Sequence, residues 1–310
     1  MTIRNDAGES LYFARELESI IPETKDTLYR AMTSKDNIPV NTRHPAGAKT
    51  ITWRGYTKIG RAGIISAYGA TDIKKVGRFA FESSAKVFSI ASGASWTRQE
   101  VRESQMAGKG LDRELALQIG DENARTIDQL NYLGDTAHGI NGLLNYPGLT
   151  AATIPANGTG SSKAWSTKTG SQILQDCANL IKAVTVTTNG VEKPNTLALP
   201  LSVYIDIGTR EFSAANSSNL TILAYLEMNL SKLGITSIIG LPELEAGQAV
   251  ATTRAIAYTK DPRKVEAHIP LVLEATPPQP DGLSWSTYVE SRAAGVTYYY
   301  ILSAAVGDGV

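Results

Sequence analysis

An α+β fold is predicted by three features of the 310-residue sequence. A period-two ribbon begins near residue 50, a long 3.6-period stretch spans about residues 97 to 132, and helical and β-rich segments alternate between residues 150 and 258. Each change of period marks a change of element, and no repeat of fixed length runs through the chain.

The first element is Ser10 to Ile21, where Phe13, Leu17, Ile20 and Ile21 share one helical face and Pro22 stops the pattern. The turn-rich stretch from Met32 to Pro45 offers this helix little to pack on. It is expected to dock on the main body or on a neighbouring subunit. From Thr50 the apolar Ile51 and Trp53 alternate with Thr50, Thr52 and Arg54, and a second apolar group, Gly63-Ile64-Ile65, follows Lys58-Ile59-Gly60-Arg61. That pattern predicts a hairpin. Glycines at 55, 60, 63, 69 and 77 suit bends and bulges, and so few apolar residues make no core, so the ribbon is expected to project and be held by something else. Phe81 to Ile90 reads as a further strand.

Thr97 and Glu100 have capping-box spacing and open a helical segment that Gly108-Lys109-Gly110 interrupts. Asp112 is expected to cap a second stretch, in which Leu115, Ile119, Ile127 and Leu130 recur at helical spacing. Arg113, Glu114, Asp121, Glu122, Arg125 and Asp128 fall mainly on its other faces. Gly134 to Gly148 is turn chemistry around a small apolar centre, and it ends the helix.

Beyond the Gly/Ser/Thr-rich loop from Asn157 to Ser162, Ile173, Leu174, Ala178, Ile181 and Val184 mark a helix. An apolar stretch at Leu197 to Ile207, a helix at Leu220 to Leu233 and a β-rich segment at Ile235 to Ile239 complete a compact α/β unit. Val265 to Leu273 and Arg292 to Ala304 are strand-like. Pro277-Pro278-Gln279-Pro280 between them continues neither a helix nor a central strand, so two strands joined by a long proline-rich loop are expected.

Composition narrows the function. Thirty Lys and Arg balance thirty Asp and Glu, so the chain does not gather nucleic acid or anionic lipid by bulk charge. A lone Cys177 allows no disulfide within the chain and suits a reducing compartment. Met1 to Asp6 lacks the apolar core of a signal peptide, which predicts cytoplasmic synthesis, and no apolar run reaches the length of a membrane span. Charged residues make up 19% of the chain, below the usual fraction of about 25%, as in surfaces that become interfaces.

Catalytic chemistry is not predicted. His44, His138 and His268 are far apart in sequence and belong to no HExxH or similar cluster, and His138 is expected to make a structural hydrogen bond. Cys177 reads as a small buried hydrophobe. Gly158 to Lys163 lacks the GxxxxGK[ST] spacing of a phosphate loop, and the GxSxG elbow that a soluble α/β hydrolase would need is missing. No cofactor or metal is expected.

The order of these segments resembles the major capsid proteins of tailed bacteriophages, whose fold is of the Hong Kong 97 type. Five stretches carry the resemblance: the arm Arg15-Glu16-Leu17-Glu18-Ser19-Ile20-Ile21-Pro22, the following Ile38-Pro39-Val40, the turn Gly134-Asp135 with Gly139-Ile140-Asn141-Gly142-Leu143-Leu144-Asn145-Tyr146-Pro147-Gly148, and the later Leu241-Pro242-Glu243-Leu244 and Glu290 to Val296. It implies an N-terminal arm at 1–45, an extended E-loop hairpin at 46–80, a P-domain with a long spine helix at 81–148, an α/β A-domain at 149–261, and closing P-domain strands at 262–310.

The resemblance further implies a structural, non-enzymatic subunit that self-assembles as hexamers and pentamers of an icosahedral head. Such a head encloses double-stranded DNA without sequence-specific binding, and scaffolding, portal and decoration proteins are candidate partners. Localisation in the virion after synthesis in the host cytoplasm follows. An encapsulin-like compartment shell of the same fold is the alternative. The arm residues Phe13, Leu17 and Ile20 and the hairpin residues Lys58, Ile59 and Arg61 are the expected intersubunit contacts. Some relatives join a hairpin lysine to a neighbour's asparagine; Lys58, Lys74 and Lys75 are read instead as solvated lysines, because no partner asparagine or glutamate matches. The short segment before the arm implies either a processed chain or a separate scaffolding protein.

Overall fold

The computed structural model describes residues 29–64, 74–108, 111–212, 220–248 and 251–310. Residues Met1–Ala31 and Met32–Val310 form separate units. The expected arm helix, with Phe13, Leu17 and Ile20, lies outside the described residues. All that follows concerns the second unit.

Its elements, in order, begin with α1 (Ser34–Asn37), β1 (Val40–Asn41), β2 (Thr50–Ile59), β3 (Gly77–Lys86), β4 (Phe88–Thr97), α2 (Arg98–Ala107) and α3 (Leu111–Leu133). Then come β5 (Gly134–Asp135), β6 (Ile140–Asn141), β7 (Thr150–Ala151), α4 (Gly170–Thr187), β8 (Thr196–Pro200), α5 (Leu201–Thr209), α6 (Ile222–Leu230), β9 (Ser237–Leu241) and β10 (Arg254–Tyr258). The chain closes with β11 (Val265–His268), β12 (Leu271–Ala275), β13 (Gln279–Asp281), β14 (Ser284–Ala293), β15 (Gly295–Tyr298) and β16 (Ala304–Asp308).

The two-part helix forms as its sequence predicts. Thr97 and Glu100 cap α2 reciprocally, and Gly108 ends it in the left-handed conformation. Helix α3 already begins at Leu111, so Asp112 stands within its first turn rather than ahead of it. At 23 residues it is about 35 Å long. Ile119, Ile127 and Leu130 are buried, and so, against expectation, is Asp128, whose Oδ1 accepts the backbone N–H of Ser34 at 2.7 Å. Asn123 and Asn131 are buried on the same helix: Asn123 accepts from Ser291 and donates to the Ile90 carbonyl, and Asn131 donates to the Ser34 hydroxyl.

Just past α3 the chain turns through three close backbone contacts. A β-carbon on Gly142 would lie 2.4 Å from the Tyr132 carbonyl oxygen, and one on Gly134 2.4 Å from that of Ile140. Gly295 approaches the Asn141 carbonyl just as tightly. Only glycine allows the helix end, the turn and β15 to meet there, and it brings Leu143 and Leu144 into full burial.

The α/β unit is a five-stranded sheet of order β7-β16-β10-β8-β9, covered on both faces. Alternation along β10 divides the core: Ala255 and Ala257 face α4 and α6, whereas Ile256 and Tyr258 face Tyr132, Leu143 and Leu144. Cys177 is fully buried in the first of these cores, as predicted.

The closing region departs from the expected pair of strands, because six strands form between Val265 and Asp308. Strand β14 occupies the second half of what reads as the proline-rich loop, and it pairs with β4 along its whole length, from Ser284 opposite Thr97 to Ala293 opposite Phe88. Pro280 is accommodated in β13, which pairs only with β14 and is therefore an edge strand. On β14, Thr287, Val289, Ser291 and Ala293 are buried, and Tyr288 and Glu290 point outward.

Candidate assembly interface

The expected hairpin forms, but with a different second strand. Thr50–Ile59 pairs antiparallel with Gly77–Lys86, in register from Thr50 opposite Lys86 to Ile59 opposite Gly77. Of the expected partner, Gly63 and Ile64 are not in a strand, with Ile64 fully exposed, and Ile65 lies outside the described residues. The expected strand from Phe81 to Ile90 is split between β3 and β4 at Val87. Val87 is buried at the hairpin root with Ile51 and Ala294.

The register sorts the ribbon into two unlike faces. Residues directly opposite share a face, so Ile51, Trp53, Gly55, Thr57 and Ile59 stand with Ala85, Ser83, Phe81, Phe79 and Gly77. The other face carries Arg54 with Glu82 and Lys58 with Arg78. Among the described residues the apolar face is covered only at its root, where Ile51 is buried and the Trp53 ring meets Tyr299 edge-on at 5.8 Å. Farther out it is open: Phe81 is about half exposed, Phe79 68% exposed and Ile59 44% exposed.

At the root a cleft of about 470 Å³ is lined by Trp53, Gly55, Phe81, Arg263, Tyr299 and Tyr300. Tyr299 donates to Glu266 at 2.8 Å, and Asn41 donates to the same carboxylate oxygen, which ties this cleft to β11 and β1. Burial, with the nearby Glu266 carboxylate, raises the Tyr299 phenol, so it remains a donor.

Lys58, Ile59 and Arg61 are brought together at the outer end of the ribbon, all exposed, with Lys58 and Ile59 on opposite faces. Phe13, Leu17 and Ile20 lie outside the described residues. Phe79, Phe81 and Trp53 extend the apolar face and were not among the expected contacts. The signal for the two phenylalanines is the alternation Gly77-Arg78-Phe79-Ala80-Phe81-Glu82, a second period-two run 27 residues after the first.

The remaining polar groups point to structure rather than reaction. His138 and Asp135 are hydrogen-bonded at 2.5 Å, which holds the Asp135 carboxyl below its usual range. His44 Nε2 and His268 Nδ1 lie 3.2 Å apart. Cys177 is raised by burial and is a poor nucleophile. The amides of Gly158 and Ser161 are bonded within their own turn and that of Thr159 to Thr167, so they are not arrayed around a phosphate. Among the described residues no cluster of His, Cys, Asp and Glu can hold a metal, and no helix is long and apolar enough to cross a membrane.

The family profile described as major capsid protein matches residues 60–310. In structure the chain is similar to the capsid of Myoviridae phage XM1, with 22% identity and a TM-score of 0.82 over 97% of this chain and 99% of that one. It is similar to the capsid of the native GTA particle, with 14% identity and a TM-score of 0.64 over 95% and 96% of the two chains. A virus-like particle from Pyrococcus furiosus has 12% identity and a TM-score of 0.55 over 88% and 91%. No curated protein matches the chain.

Proposed function

The chain belongs to the major capsid protein family and is a phage capsid subunit with a structural, non-enzymatic role, and from that premise we propose that its β2–β3 ribbon is the arm by which copies join. The observation that supports this reading is the apolar face that continues from the buried Ile51 to the open Phe81, Phe79 and Ile59. A two-stranded ribbon is at best marginally stable alone, and covering these side chains removes apolar area from water at about 25 cal/mol per Å².

In this reading the ribbon is the E-loop, α3 is the spine of the P-domain, and the five-stranded unit is the A-domain. The ribbon lies across a neighbouring copy within pentamers and hexamers, and ring symmetry repeats that contact around each axis. Many modest contacts then close a stable icosahedral shell. A subunit with no net charge encloses packaged double-stranded DNA without gripping it, since strong salt-dependent binding requires neutralising many phosphates. Scaffolding, portal and decoration proteins complete the head.

Electron microscopy of the full chain, expressed with its neighbouring gene products, tests this reading. Rings or closed shells support it. A chain that stays a 33.2 kDa monomer under those conditions refutes it.

A further inference from the structure

Two cross-strand pairs of like charge stand out on this neutral chain. Lys58 and Arg78 are directly opposite each other on β2 and β3, and both are exposed. Glu274 and Glu290 are directly opposite each other on β12 and β14, and both are also exposed. Like charges at directly opposed positions destabilise a sheet. None of the four side chains has an ion-pair partner among the described residues.

The surrounding charge follows the same division. Residues 50–86 hold seven Lys and Arg against two Asp and Glu, while residues 271–293, from β12 to the end of β14, hold three acids and one base, Arg292, whose guanidinium donates to the Ala46 carbonyl. Net neutrality therefore conceals a basic ribbon and an acidic sheet. That sheet face is accessible. Helix α3 is held to the other side through Asn123 and Ser291, and Glu290 points away from it beside Tyr288. The outward residues of β4 next to them, Ser89, Ala91 and Gly93, are small and exposed.

We propose that the Lys58–Arg78 pair of one copy docks on the Glu274–Glu290 pair of a second copy. This rests on the ribbon being an assembly arm, and it names the acceptor for the charged face. Because the apolar and charged faces point in opposite directions, the ribbon is held between two copies. Each like-charge pair destabilises the free subunit and is neutralised only in the assembly, where opposite potentials also set the register.

The test is a charge swap in the full chain, under conditions where the unmodified chain assembles. Lys58→Glu with Arg78→Glu, and separately Glu274→Lys with Glu290→Lys, each reduce the assembled fraction about tenfold or more. Combining all four, or mixing the two double variants, restores it. Either double variant assembling like the parent overturns the pairing, as does failure of both the combination and the mixture when circular dichroism shows native folding. Phe79→Asp separates the two levels. If it assembles normally, the assembly-arm reading itself fails; if it blocks assembly while the charge reversals do nothing, only the pairing fails.

Discussion

The ring of Phe81 lies across the backbone of Gly55, its directly paired residue on the neighbouring strand, so closely that a β-carbon on Gly55 would fall 2.2 Å from Phe81 Cζ. Tyr288 covers Gly93, its own cross-strand partner, in the same way. In both places an aromatic ring shields a glycine backbone and is itself held flat against the sheet. Gly55→Val displaces the Phe81 ring from the apolar face. Because the ring is half exposed in the free chain, the melting of unassembled protein should change by no more than about 1 kcal/mol. Light scattering should show a clear loss of assembly.

The Lys168 ammonium lies 2.6 Å from Asp176, both side chains fully buried, and it also donates to the Pro155 carbonyl. Burial pushes the Asp176 carboxyl up, and Lys168 pulls it only part of the way back. Removing one partner strands a buried charge, so Asp176→Ala or Lys168→Met alone should cost about 3–5 kcal/mol in denaturant unfolding. The double change Lys168→Met with Asp176→Leu should recover most of that loss. Equal damage from the single and double changes would contradict this account.

His268 is fully buried against His44, Glu266 and Tyr299, and burial is the main cause that lowers its imidazole to about 4 from 6.5. Glu266 opposes that shift and His44 adds to it. The unfolded chain therefore binds the extra proton first on acidification. Stability should hold above pH 6.5 and fall as the pH drops from there towards about 4, by up to about 3 kcal/mol. Denaturant unfolding of His268→Gln across this window should show a flatter slope, and an unchanged slope would remove His268 as the cause.

Gly142→Ala drives a β-carbon into the Tyr132 carbonyl, and backbone cannot move aside as a flexible side chain would. The expected result is a loss of several kcal/mol or no soluble protein. Gly139→Ala in the same turn meets no atom within 4 Å and is strained only by its positive φ. It should fold, with a loss of about 1 kcal/mol. Thermal melting of the two variants distinguishes packing from backbone strain.

Helices α2, α3 and α4 were legible because their signals are local: the Thr97–Glu100 cap, the Gly108 stop, and the apolar face of Ile173, Ile181 and Val184. What escaped depends on distant partners. The second hairpin strand is fixed by pairing across an intervening 17 residues, and a nearer apolar group at 63–65 competes with it in sequence. Strand β14 hides behind prolines, yet its alternation of Thr287, Val289 and Ser291 with Tyr288 and Glu290 is plain once β4 supplies its partner. Asp128 looked like surface because periodicity reads hydrophobicity, and a buried carboxylate that accepts the Ser34 amide carries none. The site was half legible for the same reason. Lys58, Ile59 and Arg61 stand at the outer end of the ribbon, but the continuous apolar face needs Phe79 and Phe81 from the strand that pairing supplies.

In the proposed assembly this open apolar face joins copies of the chain. The most direct measurement compares the full chain with its Phe79→Asp variant by light scattering and electron microscopy, each expressed with the neighbouring gene products. The expected result is rings or shells from the parent and 33.2 kDa monomers with unchanged melting from the variant. Shells of equal yield from both would contradict it.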